Sequence, residues 1–153
     1  MPAALKRIGI GIADDGEKVL SSAASASGDF ITACYCRPGI IDKKSVGKSV
    51  EIVEHEDPGQ TLIDDLMAGM IDAAVRGTLP ANSTLRALKK AEGVDHLERI
   101  ALLETVGGKK FLLTPIGVDE GWTVPEKLEL IRKGRLIAQK FGLSPKVGHE
   151  KTG

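Results

Sequence analysis

The chain has 153 residues, of which 42% are apolar and 27% charged, which is enough material for one domain with a buried core. Lys and Arg number 21, as do Asp and Glu, so no net positive charge attracts nucleic acid or an anionic membrane surface. No apolar stretch is long enough to cross a bilayer, and the protein is expected in the cytoplasm.

Six short apolar runs, rich in Ile, Val and Leu, are typical of β-strands. They are residues 7–13, 30–36, 49–55, 71–75, 98–106 and 109–117. Apolar residues at helical spacing lie between several of these runs. The predicted helices cover residues 15–25, 60–70, 83–93 and 123–142. This succession predicts one α/β domain over residues 1–153, with a mainly parallel sheet between helices on both faces.

The last two helices carry the clearest boundary signals. Asn82 or Ser83 is expected to cap the third helix, which stops at Gly93. Thr123 and Pro125 begin the fourth helix and Gly142 ends it. Its predicted apolar face, which should pack against a sheet, contains Leu128, Ile131, Leu136 and Ile137.

The C-terminal segment begins a strand that it does not complete. "LSPKVG" is typical of a turn leading into a strand, but the following "HEKTG" supplies no apolar residues. We therefore expect the chain to be shortened at its C-terminus relative to the protein from which it derives.

Cys34 and Cys36 alternate in an apolar run, so their side chains share one face of a strand without disulfide geometry. The pattern predicts reduced thiols packed in the core, and no metal site, because no second pair of ligands has matching spacing.

The sequence contains no complete nucleotide-binding motif and no complete nucleophile motif. Gly9 and Gly11 follow a strand-like start, but Asp14 and Asp15 would repel a pyrophosphate, so the glycines are interpreted as packing positions. No Gly-x-Ser-x-Gly elbow occurs, and the adjacent acids 64 and 65 are assigned to the wet face of a helix. These motifs identify no catalytic residues, which stay unknown from the sequence.

A segment rich in hydroxyl groups follows the fourth predicted strand. If residues 71–75 form a buried strand, Arg76 emerges at its carboxyl end, where open α/β sheets bind ligands. Gly77 would give a ligand access to the backbone, and the helix start would favour an anion. The residues predicted to bind phosphate or carboxylate are Arg76, Gly77, Thr78, Asn82, Ser83 and Thr84. A capped helix with an arginine paired to a neighbouring acid is the alternative, and residue types alone leave both open.

Two long stretches carry a resemblance to a known family. "LIDDLMAGMIDAAVRGTLPANSTLRALKK" and "ALLETVGGKKFLLTPIGVDEGWTVPEKLELIRKGRLIAQKFGLSPKV" resemble the methanogenesis marker protein 4 family, MtxX, named as methyltransferase-related and in turn similar to the phosphate acetyl- and butyryltransferases. The Arg-Gly-Thr-Leu loop and the "GLSPKV" turn are the most specific parts of this resemblance.

The resemblance implies an isopropylmalate-dehydrogenase-like, three-layer α/β/α architecture and a cytoplasmic transferase. Its substrate would be a small anion such as an acyl phosphate or CoA, with no resident cofactor. It also implies a homodimer, because related transferases are typically dimeric. The 76–84 segment would belong to the substrate site, with Arg76 stabilising negative charge during direct attack of one bound substrate on another.

Two departures from the family pattern limit what can be carried over. Phosphotransacetylases take their catalytic residues largely from segments beyond the point where this chain stops. Arg76 also stands where acetyltransferases usually have a small polar residue. A non-catalytic or regulatory subunit of a methanogenic methyltransferase system is therefore an open alternative, and methyl transfer itself would rest on analogy.

Overall fold

The computed structural model describes residues 5–26, 28, 30–43, 46, 50–117 and 120–148. Its strands are β1 (Lys6–Ile12), β2 (Phe30–Cys36), β3 (Val50–Glu54), β4 (Ala73–Val75), β5 (Ala101–Glu104) and β6 (Lys110–Leu113). Its helices are α1 (Gly16–Ala26), α2 (Pro58–Met67), α3 (Ala81–Glu92) and α4 (Val124–Lys140). Residues 149–153, where the sequence pattern breaks off, lie outside the described residues.

The chain divides into two compact units, residues 1–94 and 95–153. The first unit contains a four-stranded sheet in the order β3-β2-β1-β4, and every neighbouring pair in it is parallel. The mainly parallel sheet predicted from the sequence is therefore confirmed. The single domain over residues 1–153 stays a prediction.

Strand β2 lies inside the parallel sheet and is buried on both faces. Cys34 and Cys36 pack with Ala23 of α1 on one face, whereas Ala33 and Tyr35 pack on the other face in the cluster that holds Leu62 of α2. This alternation follows from the two-residue period of a strand. Helices thus cover both faces of the sheet, as the predicted α/β/α layering requires.

The two cysteines are reduced and buried, as their spacing predicts. Burial raises the pKa of Cys34 to about 11, with a further contribution from Cys36, and burial also raises the pKa of Cys36. A thiol that resists ionisation is a poor nucleophile and a poor metal ligand. Both side chains therefore serve the core.

The prediction of a buried strand over residues 71–75 is wrong in length and burial. Ile71 is buried, but it precedes β4, whose three residues include the 47% exposed Val75. β4 is exposed because it is the last strand in the sheet order and pairs with β1 alone among the described strands.

Strands β5 and β6 do not join the parallel sheet, contrary to the sequence prediction. They form an antiparallel pair in the second unit, with Leu103 opposite Phe111. The short connection is a turn in which the Gly108 amide donates to the Thr105 carbonyl over 2.9 Å, with Gly108 at φ +78°. Strands joined this tightly must run antiparallel.

Helix α4 begins where the sequence predicts, because Thr123 and Glu126 form a reciprocal capping box. It ends at Lys140, just before the predicted stop at Gly142. Its predicted apolar face is right only in part, because Ile131 and Ile137 are half-buried but Leu128 and Leu136 are exposed. The buried residues are Leu130 and Ala138, whereas Leu128 is 60% exposed. A Cβ atom on Gly121 would lie 3.4 Å from Leu130 Cδ1, so Leu130 packs against the chain at Gly121. This contact places the Leu130 side of the helix in the interior. None of the described helices is both long enough and apolar enough to reach across a lipid bilayer.

Asp65 is not simply part of a wet helix face, as the sequence suggested. The Tyr35 hydroxyl donates a hydrogen bond of 2.7 Å to Asp65 Oδ2, whereas the adjacent Asp64 is exposed and accepts from the Gln60 side chain. Burial and this hydrogen bond raise the pKa of Tyr35 above its usual range. The bond ties α2 to the centre of the sheet.

The substitution Tyr35→Phe should lower the free energy of unfolding by about 1 to 2 kcal/mol, because it leaves a half-buried carboxylate without its donor. Urea unfolding of the variant measures this loss. The matched control is Asp64→Asn, which changes an exposed acid and should stay within about 0.5 kcal/mol of the parent. Equal losses for the two variants would contradict the structural role of the Tyr35 bond.

Candidate functional site

The predicted ligand segment lies at the topological switch point of the parallel sheet. β1 has β2 on one side and β4 on the other, so the loops after β1 and β4 leave the same sheet edge beside each other. Ligands of open α/β sheets bind in the crevice at such a point. Residues 13–15 and 76–80 form these two loops.

Arg76 folds onto its own loop. Its guanidinium donates a hydrogen bond through Nη1 to the carbonyl oxygen of Leu79. Within the described ranges no carboxylate forms an ion pair with Arg76, so the alternative of an acid-paired arginine finds no support there. One of the five N–H donors of the guanidinium is used by this bond.

Gly77 brings two backbones together. It has φ +58°, and a Cβ atom on it would lie 2.1 Å from the carbonyl oxygen of Gly11. A Cβ atom on Gly11 would in turn lie 2.0 Å from Leu79 Cδ1. These glycines allow the loop after β4 to touch β1. Packing within the fold therefore requires glycine at position 77.

Gly9 has a related packing role. A Cβ atom there would lie 2.6 Å from side-chain atoms of both Leu62 and Ile71. The interpretation of Gly9 and Gly11 as packing positions in the first strand is thereby confirmed.

Thr78 fastens the two switch-point loops to each other. Its hydroxyl accepts from the amides of Ala13 and Asp14 over 2.9 and 3.2 Å, and it donates to the carbonyl of Asp14 over 2.8 Å. Its own amide donates to the carbonyl of Gly11 over 3.2 Å. The hydroxyl is therefore engaged with the protein itself.

The expected hydroxyl or amide cap of α3 is wrong. The helix begins at Ala81 with Pro80 as its N-cap, and no side chain caps it. The hydroxyls of Ser83 and Thr84 instead donate back to the Pro80 carbonyl over 3.2 and 2.9 Å. Proline at the N-cap has no side-chain oxygen that could accept from the free amides of the first turn. Asn82 is exposed on the first turn.

The structure gathers the predicted residues around one loop and helix start but gives most of them internal partners. Thr78, Ser83 and Thr84 bond to the backbone, and Gly77 packs on Gly11. Their assignment to a ligand site stays a prediction.

A cavity of about 270 Å³ lies beside this segment, between α2 and α3. The first turn of α2 contributes Gly59 and Gln60 to its lining, and one face of α3 contributes Ser83, Arg86 and Lys90. Residues 83, 86 and 90 share that face because side chains three and four apart on a helix are neighbours.

The cavity carries a net positive charge. No described acid forms an ion pair with Arg86 or Lys90. Asp57 also lines the cavity, but its Oδ1 accepts the Gln60 amide over 3.0 Å as the N-cap of α2. Two cations and one carboxylate leave one net positive charge, which together with the Ser83 hydroxyl suits an anion.

Sequence reasoning missed Arg86 and Lys90. Their signal was the spacing from Ser83, which places one hydroxyl and two cations on consecutive turns of one helix face. The partner wall could not be found in this way, because α2 is brought beside α3 only by the fold.

The α/β fold of this chain is like that of a solved phosphotransacylase. The chain is similar to a branched-chain phosphotransacylase from Enterococcus faecalis V583, with a TM-score of 0.72 and 19% identity, over 91% of this chain and 52% of that chain. At this identity the likeness concerns the fold alone, and it confirms the predicted α/β class. No protein-family model matches the chain.

The sequence is similar to proteins of methanogenic archaea that are provisionally named methyltransferase mtx subunit X. The relative from Methanosarcina barkeri is 40% identical over 145 residues, which are 93% of this chain and 52% of the relative. The relative from Methanosarcina mazei is 37% identical over 146 residues, 93% of this chain and 51% of that protein. The predicted resemblance to MtxX is confirmed, and the chain spans about half the length of the curated relatives that it matches.

The close contact at Gly77 makes a testable prediction. Gly77→Ala should lower the free energy of unfolding by about 3 kcal/mol or more, since a left-handed φ and a collision with the Gly11 carbonyl act together. The matched control is Gly93→Ala, which also has positive φ but open space around the added Cβ, and it should cost about 1 to 2 kcal/mol. Chemical denaturation compares the two, and similar losses would contradict the proposed contact.

Proposed function

We propose that this chain is part of a transferase of the phosphate acetyl- and butyryltransferase-like class and that it binds a phosphate-bearing small molecule, such as an acyl phosphate or CoA. The observation that carries the proposal is the cavity lined by Ser83, Arg86 and Lys90, in which two cations have no described acidic partner. We name this surface the α3 anion cavity.

The chemistry of the α3 anion cavity suits a phosphate group. The planar guanidinium of Arg86 matches two phosphate oxygens, and the ammonium of Lys90 contributes a point charge one turn away. Ser83 adds a hydroxyl, whose oxygen already donates its proton to the Pro80 carbonyl and can accept from a protonated phosphate.

The predicted segment of residues 76–84 keeps a part in this proposal. The guanidinium of Arg76 gives one hydrogen bond to Leu79, so further N–H donors can face a substrate at the switch point. In an acyl transfer, two bound substrates would react directly, and Arg76 would stabilise the negative charge that develops. The names of the relatives, a phosphotransacylase and a methyltransferase subunit, support a transferase of this general kind.

A specific observation favours a second candidate function, that of a non-catalytic or regulatory subunit. The hydroxyls of Thr78, Ser83 and Thr84, which could have served a substrate, all bond to the backbone. The word subunit in the relatives' name also supports a partner within a larger assembly. On this reading the cavity would sense a phosphate metabolite without converting it.

Calorimetric titration with inorganic phosphate, acetyl phosphate and CoA tests the cavity. Lys90→Met should raise the Kd for inorganic phosphate about fivefold, because it removes one charge from the site. The matched control Lys89→Met removes an adjacent charge from the same helical turn, outside the lining, and should leave the Kd within about twofold. Equal effects of the two substitutions, or no binding by the parent protein, would refute the site.

An activity assay on the full-length protein separates the two candidate functions. The transferase proposal predicts formation of acetyl phosphate from acetyl-CoA and inorganic phosphate, and Arg76→Ala should lower kcat about a hundredfold by removing charge stabilisation. The Arg76→Lys variant, which keeps the charge, is the control and should retain more activity. Phosphate binding without turnover would favour the regulatory subunit, and unchanged activity in Arg76→Ala would exclude the role assigned to Arg76.

A further inference from the structure

Another cavity, of about 440 Å³, lies wholly within the unit formed by residues 95–153. Its walls are mainly apolar and come from Pro115, Trp122, Leu130, Ile131 and Val147. The volume is in the range of small-molecule sites in proteins. The transferase proposal above makes no use of this cavity.

Trp122 is 76% exposed and lies between two constrained positions of the backbone. Gly121 has φ +69°, and a Cβ atom there would lie 3.2 Å from Pro115 Cγ, so the chain passes close to the cavity wall. On the other side of Trp122, Thr123 and Glu126 form the capping box of α4. Trp122, which stands between these two backbone constraints, is both exposed and part of the cavity lining, so a ligand in the cavity can contact it.

Glu120 and Thr114, two polar side chains of the lining, have partners within the protein. Glu120, whose side chain is 4% exposed, forms an ion pair with Arg99 and also accepts the Arg99 amide over 3.2 Å. The Thr114 hydroxyl donates to the Arg99 carbonyl over 3.1 Å. Lys127 is the lining cation for which the described residues supply no acidic partner.

We propose that this cavity binds a small monocarboxylate with an apolar body. The body would lie against Trp122, Pro115 and Ile131, and the carboxylate would pair with Lys127. A single cation suits a group with one negative charge, whereas phosphate sites commonly combine several donors and charges. The apolar walls exclude ligands that are polar throughout, because they could not replace the lost water contacts.

The chain contains one Trp, so its fluorescence reports on this cavity directly. Titration with 4-methylpentanoate should change the Trp122 emission saturably, with a Kd of about 1 mM. Acetate lacks the apolar body and 4-methylpentanamide lacks the charge, so the Kd of each should be higher by about fivefold or more. Equal binding of the acid and the amide would overturn the proposal. A saturable response to the nucleotide AMP, with no response to the acid, would also overturn it.

Substitutions on α4 test the role of Lys127. Lys127→Met should raise the Kd for 4-methylpentanoate about fivefold, while Lys127→Arg should keep the parent affinity within about twofold. Lys140→Met, at the other end of the same helix and outside the lining, is the matched control and should bind as the parent does. An unchanged Kd in Lys127→Met, or no saturable change in the emission of the parent protein, would show that the cavity does not bind such acids.

Discussion

The contact between Gly77 and the carbonyl of Gly11 constrains the rest of the first unit. It allows the loop after β4 to lie directly on the end of β1, and Leu79 then fills the space left by the missing side chain of Gly11. Thr78 completes the junction with bonds to the loop after β1. The start of α3 is thereby fixed relative to the sheet, and its polar face is set beside the first turn of α2.

This constraint changes where an anion would be held. The crevice at the switch point is the usual ligand position in open α/β sheets, but here the Gly11–Gly77 contact and the bonds of Thr78 join the two loops that border it. Two cations with no acidic partner among the described residues, Arg86 and Lys90, lie further along α3.

Periodicity and boundary signals predicted much of the fold because they are local. Gly93 and the Thr123 cap mark helix ends through their own backbone and side-chain bonds, so neighbours in the sequence suffice to recognise them. Burial is not local. Leu130 is buried in place of Leu128 because of contacts with residues outside α4, and β4 is an edge strand because of the sheet order. The candidate site follows the same rule. The position of the 76–84 segment, a loop followed by a helix start, was predictable, whereas the internal partners of its hydroxyls and the wall supplied by α2 depend on tertiary packing.

A crystal structure of the protein soaked with inorganic phosphate tests the central claim most directly, because it locates the anion relative to the Gly11 and Gly77 junction. The account predicts a phosphate within hydrogen-bond distance of Arg86 and Lys90, with the Thr78 hydroxyl still bonded to the loop after β1. A phosphate bound instead by Thr78 and the backbone amides of residues 77–79, with the junction opened, would contradict it.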